Sequence, residues 1–313
     1  NIMKTHRFEN LKIEKYKNRT RAFLKIQEGC SQFCSYCVIP YARGPIRSRP
    51  SGEVLEEVRK LAEAGFKEVV LTGIHIASYG RDLRQMGLLE LVSHIHEADG
   101  IERIRIGSIE PTIVTEEFAA AAARMGKLCP HYHISLQSGC DETLSRMNRR
   151  YTAAEYEKAV ELLREKIPDV AVTTDVMVGF PGETDEEFET TFTFLSRIKL
   201  AKMHVFKFSP RKGTPAASFG GQVEGRVKES RSARLLGLSD KCSLEFNSGF
   251  AGRTMPVLYE QEVKGGGGYF EGLTPNYIRV VSNGNNNLAG NIIMSELLEA
   301  HSDHIEGKIA GFV

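Results

Sequence analysis

The first regular element that the sequence predicts runs directly into a cysteine-rich loop. Residues 21–27 alternate apolar and polar side chains, as a half-buried strand does: Arg21-Ala22-Phe23-Leu24-Lys25-Ile26-Gln27. Three cysteines with C-x3-C-x2-C spacing follow almost at once, in Gly29-Cys30-Ser31-Gln32-Phe33-Cys34-Ser35-Tyr36-Cys37. The loop therefore leaves the carboxyl end of the first strand, which is the end where parallel barrels carry their chemistry.

Three thiolates on one tight loop can hold three irons of a four-iron cluster. Such clusters are normally held by four cysteines, so a three-cysteine loop leaves one iron open for chemistry. A closed zinc site is the alternative, and its fourth ligand would come from His75, His131, His133 or His204. The cluster is favoured, because zinc loops usually show C-x2-C spacing with a second pair downstream. A disulfide is less favoured still, because it would leave the third thiol unpaired.

The chain beyond the loop alternates strands and helices. Further strands are predicted at Glu68–Thr72, Arg103–Ile106, Tyr132–Leu136, Val170–Val178 and Met203–Phe208. Helices are predicted between them at 51–64, Leu88–His96, Glu116–Arg124, Ala153–Lys166 and Asp185–Arg197. This order predicts a parallel α/β sheet, either a full or partial barrel or an open doubly wound sheet. The first strand is not followed by G-x-G-x-x-G, and the chain has no phosphate-binding Gly-Lys-Ser/Thr loop.

The last part of the chain has a different texture. A long helix is predicted from about Gln222 to Asn247, and a boundary near 248–252. Glycine- and asparagine-rich turns then separate five short predicted strands, which indicate a small β-barrel. They are Pro256–Glu260, Tyr269–Leu273, Tyr277–Ser282, Ile292–Leu297 and Ile305–Val313.

Composition and charge set broad bounds. The chain has 313 residues, of which 41% are hydrophobic and 26% charged, as in an ordinary globular protein. No apolar run approaches the roughly 20 residues that span a bilayer. Net charge is +1, but residues 1–29 carry eight Lys/Arg against three Glu, and residues 250–313 carry four Lys/Arg against seven Asp/Glu. A basic surface would therefore come from the main domain.

The sequence resembles the radical S-adenosylmethionine (SAM) superfamily and, within it, the methylthiotransferase family. The resemblance is carried by the cysteine loop with its continuation to Pro50, and by Leu71–Gly80, Ser135–Tyr151 and Asp175–Thr184. The small barrel resembles the TRAM module that ends these enzymes. This likeness implies a partial (β/α)6 TIM-like radical SAM barrel over residues 21–249 and an all-β TRAM barrel over 250–313.

The resemblance also implies cofactors and roles for particular residues. Cys30, Cys34 and Cys37 would hold a [4Fe–4S] cluster whose open iron binds the amine and carboxylate of SAM. Other residues expected around SAM stand at the carboxyl ends of the strands or near them. Tyr36 is expected near the adenine, Gly73 near the methionine end, Ser108, Glu110 and Gln137 on ribose or methionine, Arg149 on the carboxylate, and Asp175 as a further candidate.

Three segments resemble most the branch that adds a methylthio group to N6-threonylcarbamoyladenosine, next to the tRNA anticodon. They are Ile46–Pro50, Tyr79–Leu83 and Ser209–Pro215. Sister branches act on isopentenyladenosine in tRNA or on ribosomal protein S12. Candidates to pair with the carboxylate of the threonylcarbamoyl group are Arg43, Arg47 and Arg211. Expected partners are the tRNA anticodon stem-loop and an external electron donor such as flavodoxin or ferredoxin, in the cytoplasm and without a membrane. RNA contacts would fall on Arg253, Lys264 and Arg279 of the TRAM-like barrel, or on the main domain.

One departure from the family is large. Methylthiotransferases begin with a domain whose three cysteines bind a second [4Fe–4S] cluster, and residues 1–29 contain no cysteine. Cys129, Cys140 and Cys242 are scattered and are expected to be buried free thiols. Residues 1–20 are therefore interpreted as a linker from a missing amino-terminal domain. Two alternatives stay open: a radical SAM enzyme with another substrate, and a non-catalytic RNA-binding protein whose cysteines hold zinc.

Overall fold

The computed structural model describes residues 2–5, 8, 20–84, 86–265, 267–285 and 288–312. The larger unit has seven strands: β1 Arg21–Glu28, β2 Arg47–Ser48, β3 Glu68–Gly73, β4 Arg103–Ile106, β5 His131–His133, β6 Ala171–Val178 and β7 Lys202–Lys207. Its helices are α1 Ile39–Arg43, α2 Ser51–Glu63, α3 Leu88–His96, α4 Glu116–Arg124, α5 Asp141–Arg146, α6 Ala153–Lys166, α7 Asp185–Ile198 and α8 Gly225–Ser248.

Six of these strands run parallel, in two sheets of order β2-β1-β3-β4 and β5-β6-β7. Single bridges, Ile104 to Leu128 and Ile109 to Ile134, join the two sheets. Among the described residues no ladder closes β7 onto the first sheet. The partial barrel that the resemblance implied is therefore confirmed.

The predicted strand Tyr132–Leu136 is the one that differs most. The observed β5 is shorter and ends at His133, and the chain beyond it makes only single bridges. Gln137 is left-handed, with φ 71°, which a regular ladder cannot accommodate. A side chain takes over instead: the Thr174 hydroxyl accepts the Leu136 amide at 3.0 Å.

Helices α6 and α7 begin where the sequence predicts them, because each carries a capping box. The side chains of Thr152 and Thr184 accept the amides of Glu155 and Glu187, and both glutamates reach back to the cap amides. The sequence pattern does not predict the short elements α1, β2 and α5. No helix in the described part of the chain is long and apolar enough to cross a membrane.

The carboxyl-terminal unit is a closed five-stranded barrel, as predicted. Its strands are β8 Thr254–Glu262, β9 Tyr269–Leu273, β10 Arg279–Asn283, β11 Ile292–Ala300 and β12 Ile305–Phe312. They close in the order β10-β12-β11-β8-β9. The predicted last residue of the fifth strand, Val313, and most of the predicted linker 1–20 lie outside the described residues.

The small barrel packs against the amino ends of the parallel strands. Arg103, which opens β4, donates to the carbonyls of Leu273 at 3.0 Å and Pro256 at 2.9 Å. Arg21, which opens β1, pairs with Glu260 at 2.5 Å. The cysteine loop leaves the opposite, carboxyl end of β1, so the two ends of the barrel are covered by different parts of the chain.

Candidate active site

The cysteine loop is shaped by a glycine that no other residue can replace easily. Gly29 has φ 71°, and a Cβ added there would lie 1.9 Å from the Pro45 carbonyl oxygen. This close approach lets the Cys30 amide donate to the Gly44 carbonyl at 3.0 Å. The turn that begins the loop is therefore fixed by backbone contact with the segment leading to β2.

The second half of the loop is fastened to the end of α5. The Ser35 amide donates to the Met147 carbonyl at 3.0 Å, and the Ser35 hydroxyl donates to the Arg146 carbonyl at 2.8 Å. The Asn148 amide donates to the Phe33 carbonyl at 2.9 Å, which holds Phe33 in a left-handed conformation, φ 53°. The three cysteines are thus held by two distant parts of the chain.

All three cysteines of the loop are free thiols, Cys34 buried and the other two partly buried. Burial, together with the neighbouring Cys34 and Cys37, raises the pKa of Cys30 to about 11. Burial also raises the pKa of Cys37. Thiols whose pKa is raised, as at Cys30 and Cys37, need a bound cation to ionise, so the loop fits a metal cluster that takes thiolate ligands. Among the described residues no group of three or more His, Cys, Asp or Glu is placed to hold a single metal ion.

A carboxylate at the end of the third parallel strand organises the polar groups beside the loop. Glu110 accepts from Gln32 at 3.1 Å, and its two oxygens lie 2.9 Å from His75 Nε2 and 3.3 Å from Arg149 Nη2. Burial would raise the pKa of Glu110, but the hydrogen bond from His75 and the charge of Arg149 outweigh it and the pKa is lowered. Glu110 is therefore an anion beside the cysteines.

Arg149 connects that carboxylate to the cysteine loop. Its Nη1 donates to Cys34 Sγ at 3.3 Å, and its Nε donates to the Tyr151 hydroxyl at 2.8 Å. The side chain is 8% exposed. Arg149 thus places a buried positive charge against a cysteine sulfur and a carboxylate at once.

The structure brings Glu110 and Arg149 together at the loop, and it places Tyr36 beside them. Tyr36 packs edge-on against Phe180, with ring centroids 6.4 Å apart, and burial raises its pKa. Gly73 is packed closely: a Cβ there would lie 2.6 Å from Ile76 and 3.0 Å from Gln27. The need for glycine at position 73 is thus explained by contact with β1.

The remaining expected SAM ligands lie farther along the strands. Gln137 is buried, and its amide donates to the Asp175 carbonyl at 2.8 Å. The Asp175 carboxylate lies 3.2 Å from His133 Nε2, so it faces the histidines of the barrel interior. Ser108 is exposed and lines a cavity in the same interior.

The three arginines proposed for substrate differ in exposure. Arg47 is buried, 2% exposed; it donates to the carbonyls of Arg43 and Pro45 and pairs with Glu28. Arg47 therefore holds the segment that follows the cysteine loop through hydrogen bonds to its backbone. The side chain of Arg43 is 57% exposed although it also contacts Glu28, and Arg211 is exposed.

Sequence reasoning did not single out His75, Gln32 and Tyr151 as site residues. The sequence indicates His75 only as an alternative zinc ligand, although its position two residues after Gly73 at a strand end is a further signal of a site residue. The other three histidines of that alternative, His131, His133 and His204, line the interior cavity on β5 and β7. Cys129, Cys140 and Cys242 are buried and unpaired, as expected.

Comparison with known proteins agrees with this geometry. The family model of the radical SAM superfamily matches residues 24–195. The threonylcarbamoyladenosine tRNA methylthiotransferase MtaB of Bacillus subtilis is 41% identical over the whole chain, which covers 70% of its length. A tRNA-2-methylthio-N(6)-dimethylallyladenosine synthase of Acetivibrio thermocellus is 37% identical over 96% of this chain and 63% of its own length. The chain belongs to the radical SAM methylthiotransferase family.

Solved structures show the same fold. The radical SAM methyltransferase TsrM of Kitasatospora setae superposes with a TM-score of 0.54 at 21% identity, covering 63% of this chain and 38% of that one. The chain itself spans about two thirds of the length of the curated relatives, 70% and 63% for the two named above.

Proposed function

We propose that Cys30, Cys34 and Cys37 hold a [4Fe–4S] cluster and that the chain cleaves SAM in order to methylthiolate N6-threonylcarbamoyladenosine of tRNA. The observation that carries the first half is the loop itself, with its three thiols held against the Arg149–Glu110 pair. A cluster held by Cys30, Cys34 and Cys37 would supply the electron for cleavage of SAM, and SAM bound beside it would supply the radical chemistry that activates the nucleoside.

The residues beside the loop would bind and orient SAM. The carboxylate of SAM would pair with the guanidinium of Arg149, and its amine or a ribose hydroxyl would donate to Glu110. Arg149 and Glu110 pair with each other at 3.3 Å, so binding of SAM would exchange this ion pair for contacts with the ligand. His75 and Gln32 keep Glu110 in place during this exchange.

The threonylcarbamoyl branch is supported by the higher identity to the relative named for that nucleoside, 41% against 37%. The polar character of the barrel interior agrees with it, because Asp175, His133 and Thr173 would favour a polar side group over a prenyl group. Arg43 and Arg211 are exposed and remain the candidates for its carboxylate, whereas the side chain of Arg47 is only 2% exposed.

The same proposal includes four further expectations. They are binding of the tRNA anticodon stem-loop, an external flavodoxin or ferredoxin as electron donor, a cytoplasmic setting, and a second cluster outside residues 1–313. The test uses the protein as its gene encodes it, reconstituted without oxygen, with tRNA carrying threonylcarbamoyladenosine or isopentenyladenosine. Methylthio product is expected on the first tRNA and not on the second. A preference for isopentenyladenosine would overturn the branch and leave the radical SAM assignment standing.

Arg211→Ala and Arg43→Ala then test the carboxylate partner. Removing the responsible arginine should reduce modification much more than it reduces tRNA affinity, because one desolvated pair is lost while the phosphate contacts remain. Arg150→Ala, an exposed arginine outside the proposed pairs, is the matched control. Equal loss in all three variants would indicate bulk electrostatics instead.

A further inference from the structure

We propose that the small barrel closes the amino-terminal end of the radical SAM barrel and so forms the floor of its interior. Tyr277 is the positioning residue of this floor. The inference rests on the proposed function, in which the barrel interior receives the nucleoside. It assigns the small barrel a part in building the substrate pocket, in addition to any contact with RNA.

The two units share a cavity. It has a volume of about 390 Å³, and residues of both units line it. The larger unit contributes Arg105, His131, His133, Thr173 and His204, whose strands point alternate side chains inward. The small barrel contributes Tyr277, from the connection between β9 and β10, and Arg279, the first residue of β10. The interior of the partial barrel is thus bounded at this end by another domain.

Tyr277 lines this cavity, and 42% of its surface stays exposed. Its ring stacks on His131, with centroids 4.3 Å apart and planes 16° apart, and the Arg105 guanidinium lies 4.6 Å from the ring centre. The residue adopts φ 71°, which is rare for a residue other than glycine. Such strain persists only where the surroundings impose it, and here it aims an aromatic ring at the barrel.

The turn that presents Tyr277 is locked on both sides. Within the turn, Thr274 is fully buried and its hydroxyl accepts the Ile278 amide at 2.9 Å. Toward the large barrel, Arg105 donates to the Pro275 carbonyl at 3.1 Å, and the Asn276 side chain donates to the Asp169 carbonyl at 3.1 Å. Arg105 itself is held by the fully buried Glu68 at 2.9 Å.

Polar contacts continue from His131, on which Tyr277 stacks, to other residues of β5 and β6 in the barrel interior. The Thr173 hydroxyl lies 3.2 Å from His131 Nε2 and 3.0 Å from His133 Nδ1, and His133 Nε2 lies 3.2 Å from the Asp175 carboxylate. The ring of Tyr277 therefore sets the position of His131, and through it the polar groups that would face the substrate.

The charges of the small barrel also favour this role. Two of its cations that were candidates for RNA contact are paired with acids: Arg253 with Asp169 at 2.5 Å and Arg279 with Glu271 at 2.7 Å. Of the three candidates only Lys264 is exposed with no ion pair to an acid in the described part of the chain.

The test compares Tyr277→Gly, which removes the ring and keeps the left-handed backbone, with Tyr277→Phe, which keeps the ring. Tyr269→Ala removes an exposed tyrosine of the same barrel and is the matched control. Diethyl pyrocarbonate modification of each histidine, mapped by mass spectrometry, reports whether the floor is open. The exposed His94 on α3 is the internal reference.

Modification of His131 and His133 should become about tenfold faster in Tyr277→Gly, the size expected when an aromatic pair and a cation–π contact are lost. Tyr277→Phe and Tyr269→Ala should behave like the unchanged protein. In the full-length enzyme, Tyr277→Gly should yield less methylthio product per 5′-deoxyadenosine, with tRNA affinity within about twofold of the original. If Tyr277→Gly does not fold by circular dichroism, Tyr277→Asn, which also tolerates this backbone, replaces it.

Unchanged histidine modification in the ring-deleted variant would overturn the floor. Loss of tRNA affinity while the modification of His131 and His133 stays unchanged would also overturn it, because that result would make Tyr277 an RNA contact. The histidine readout does not depend on catalysis. A protein that fails to methylthiolate any tRNA would therefore refute the proposed function while the floor is still measured.

Discussion

Replacement of Arg149 by alanine tests the polar network beside the cysteines. Arg149 donates to the Tyr151 hydroxyl at 2.8 Å and to Cys34 Sγ at 3.3 Å, and it pairs with Glu110 at 3.3 Å. Its side chain is 8% exposed, so water does not replace these contacts in the folded protein. The variant therefore leaves a buried carboxylate with a weaker set of partners.

The cost can be bounded from these contacts. Breaking a buried ion pair costs about 3–5 kcal/mol when the remaining charge has no partner. Glu110 keeps His75 and Gln32, so the expected loss is nearer the cost of charged hydrogen bonds, roughly 2–3 kcal/mol. Urea unfolding followed by circular dichroism on the cluster-free chain measures it. The neighbouring Arg150→Ala removes the same charge from an exposed position and should cost less than about 0.5 kcal/mol.

The dependence on pH gives a second readout of the same change. The folded-state pKa of Glu110 is lowered, so its contribution to stability is present above its unfolded pKa and is lost as the pH falls through the folded value. Without Arg149 that pKa rises toward its usual range and the contribution shrinks. An Arg149→Ala protein as stable as Arg150→Ala, with an unchanged acid limb, would refute the assigned network.

Three further changes probe other parts of the structure. Gly29→Ala should abolish iron binding, because its Cβ would meet the Pro45 carbonyl at 1.9 Å, whereas Gly52→Ala, with no atom within 4 Å, should bind iron normally in a colorimetric iron assay. Tyr259→Phe should destabilise the small barrel by about 1–2 kcal/mol in calorimetry, because two buried serine hydroxyls lose their partner. Burial would raise the pKa of Glu28, but a hydrogen bond from a lysine and nearby positive charges lower it. Ionised Glu28 therefore stabilises the fold, and this contribution is lost as the pH falls below the ordinary glutamate value of 4.5. Glu28→Gln should accordingly lose less stability than the unchanged protein over that pH range.

Periodicity and caps predicted most elements of the fold, because local patterns set them. The bounds of α3, α4 and α6 agree with the prediction to the residue, and α6 owes its start to a capping box encoded within four residues. The end of β5 was not predictable in this way, since the left-handed Gln137 depends on contacts with β6.

The candidate site was predictable only where chemistry is concentrated in one stretch. The spacing of the cysteines identifies them in the sequence, whereas the contact of Arg149 with Cys34 joins residues 115 positions apart. The exposure of the three candidate arginines was not predictable either, because Arg47 is buried against Glu28 whereas Arg43 and Arg211 are exposed. Pairing across the fold decides which arginines are free, and sequence alone does not record it.

The most direct test of the central claim is reconstitution of this chain with iron and sulfide without oxygen, followed by measurement of bound iron and of 5′-deoxyadenosine formed from SAM under strong reductant. We expect about four irons per chain and formation of 5′-deoxyadenosine. Replacement of Cys30, Cys34 and Cys37 together by alanine should abolish both, and Cys242→Ala, at a buried free thiol on α8, should preserve both. One zinc per chain with no iron, or iron retained in the triple variant, would contradict the assignment.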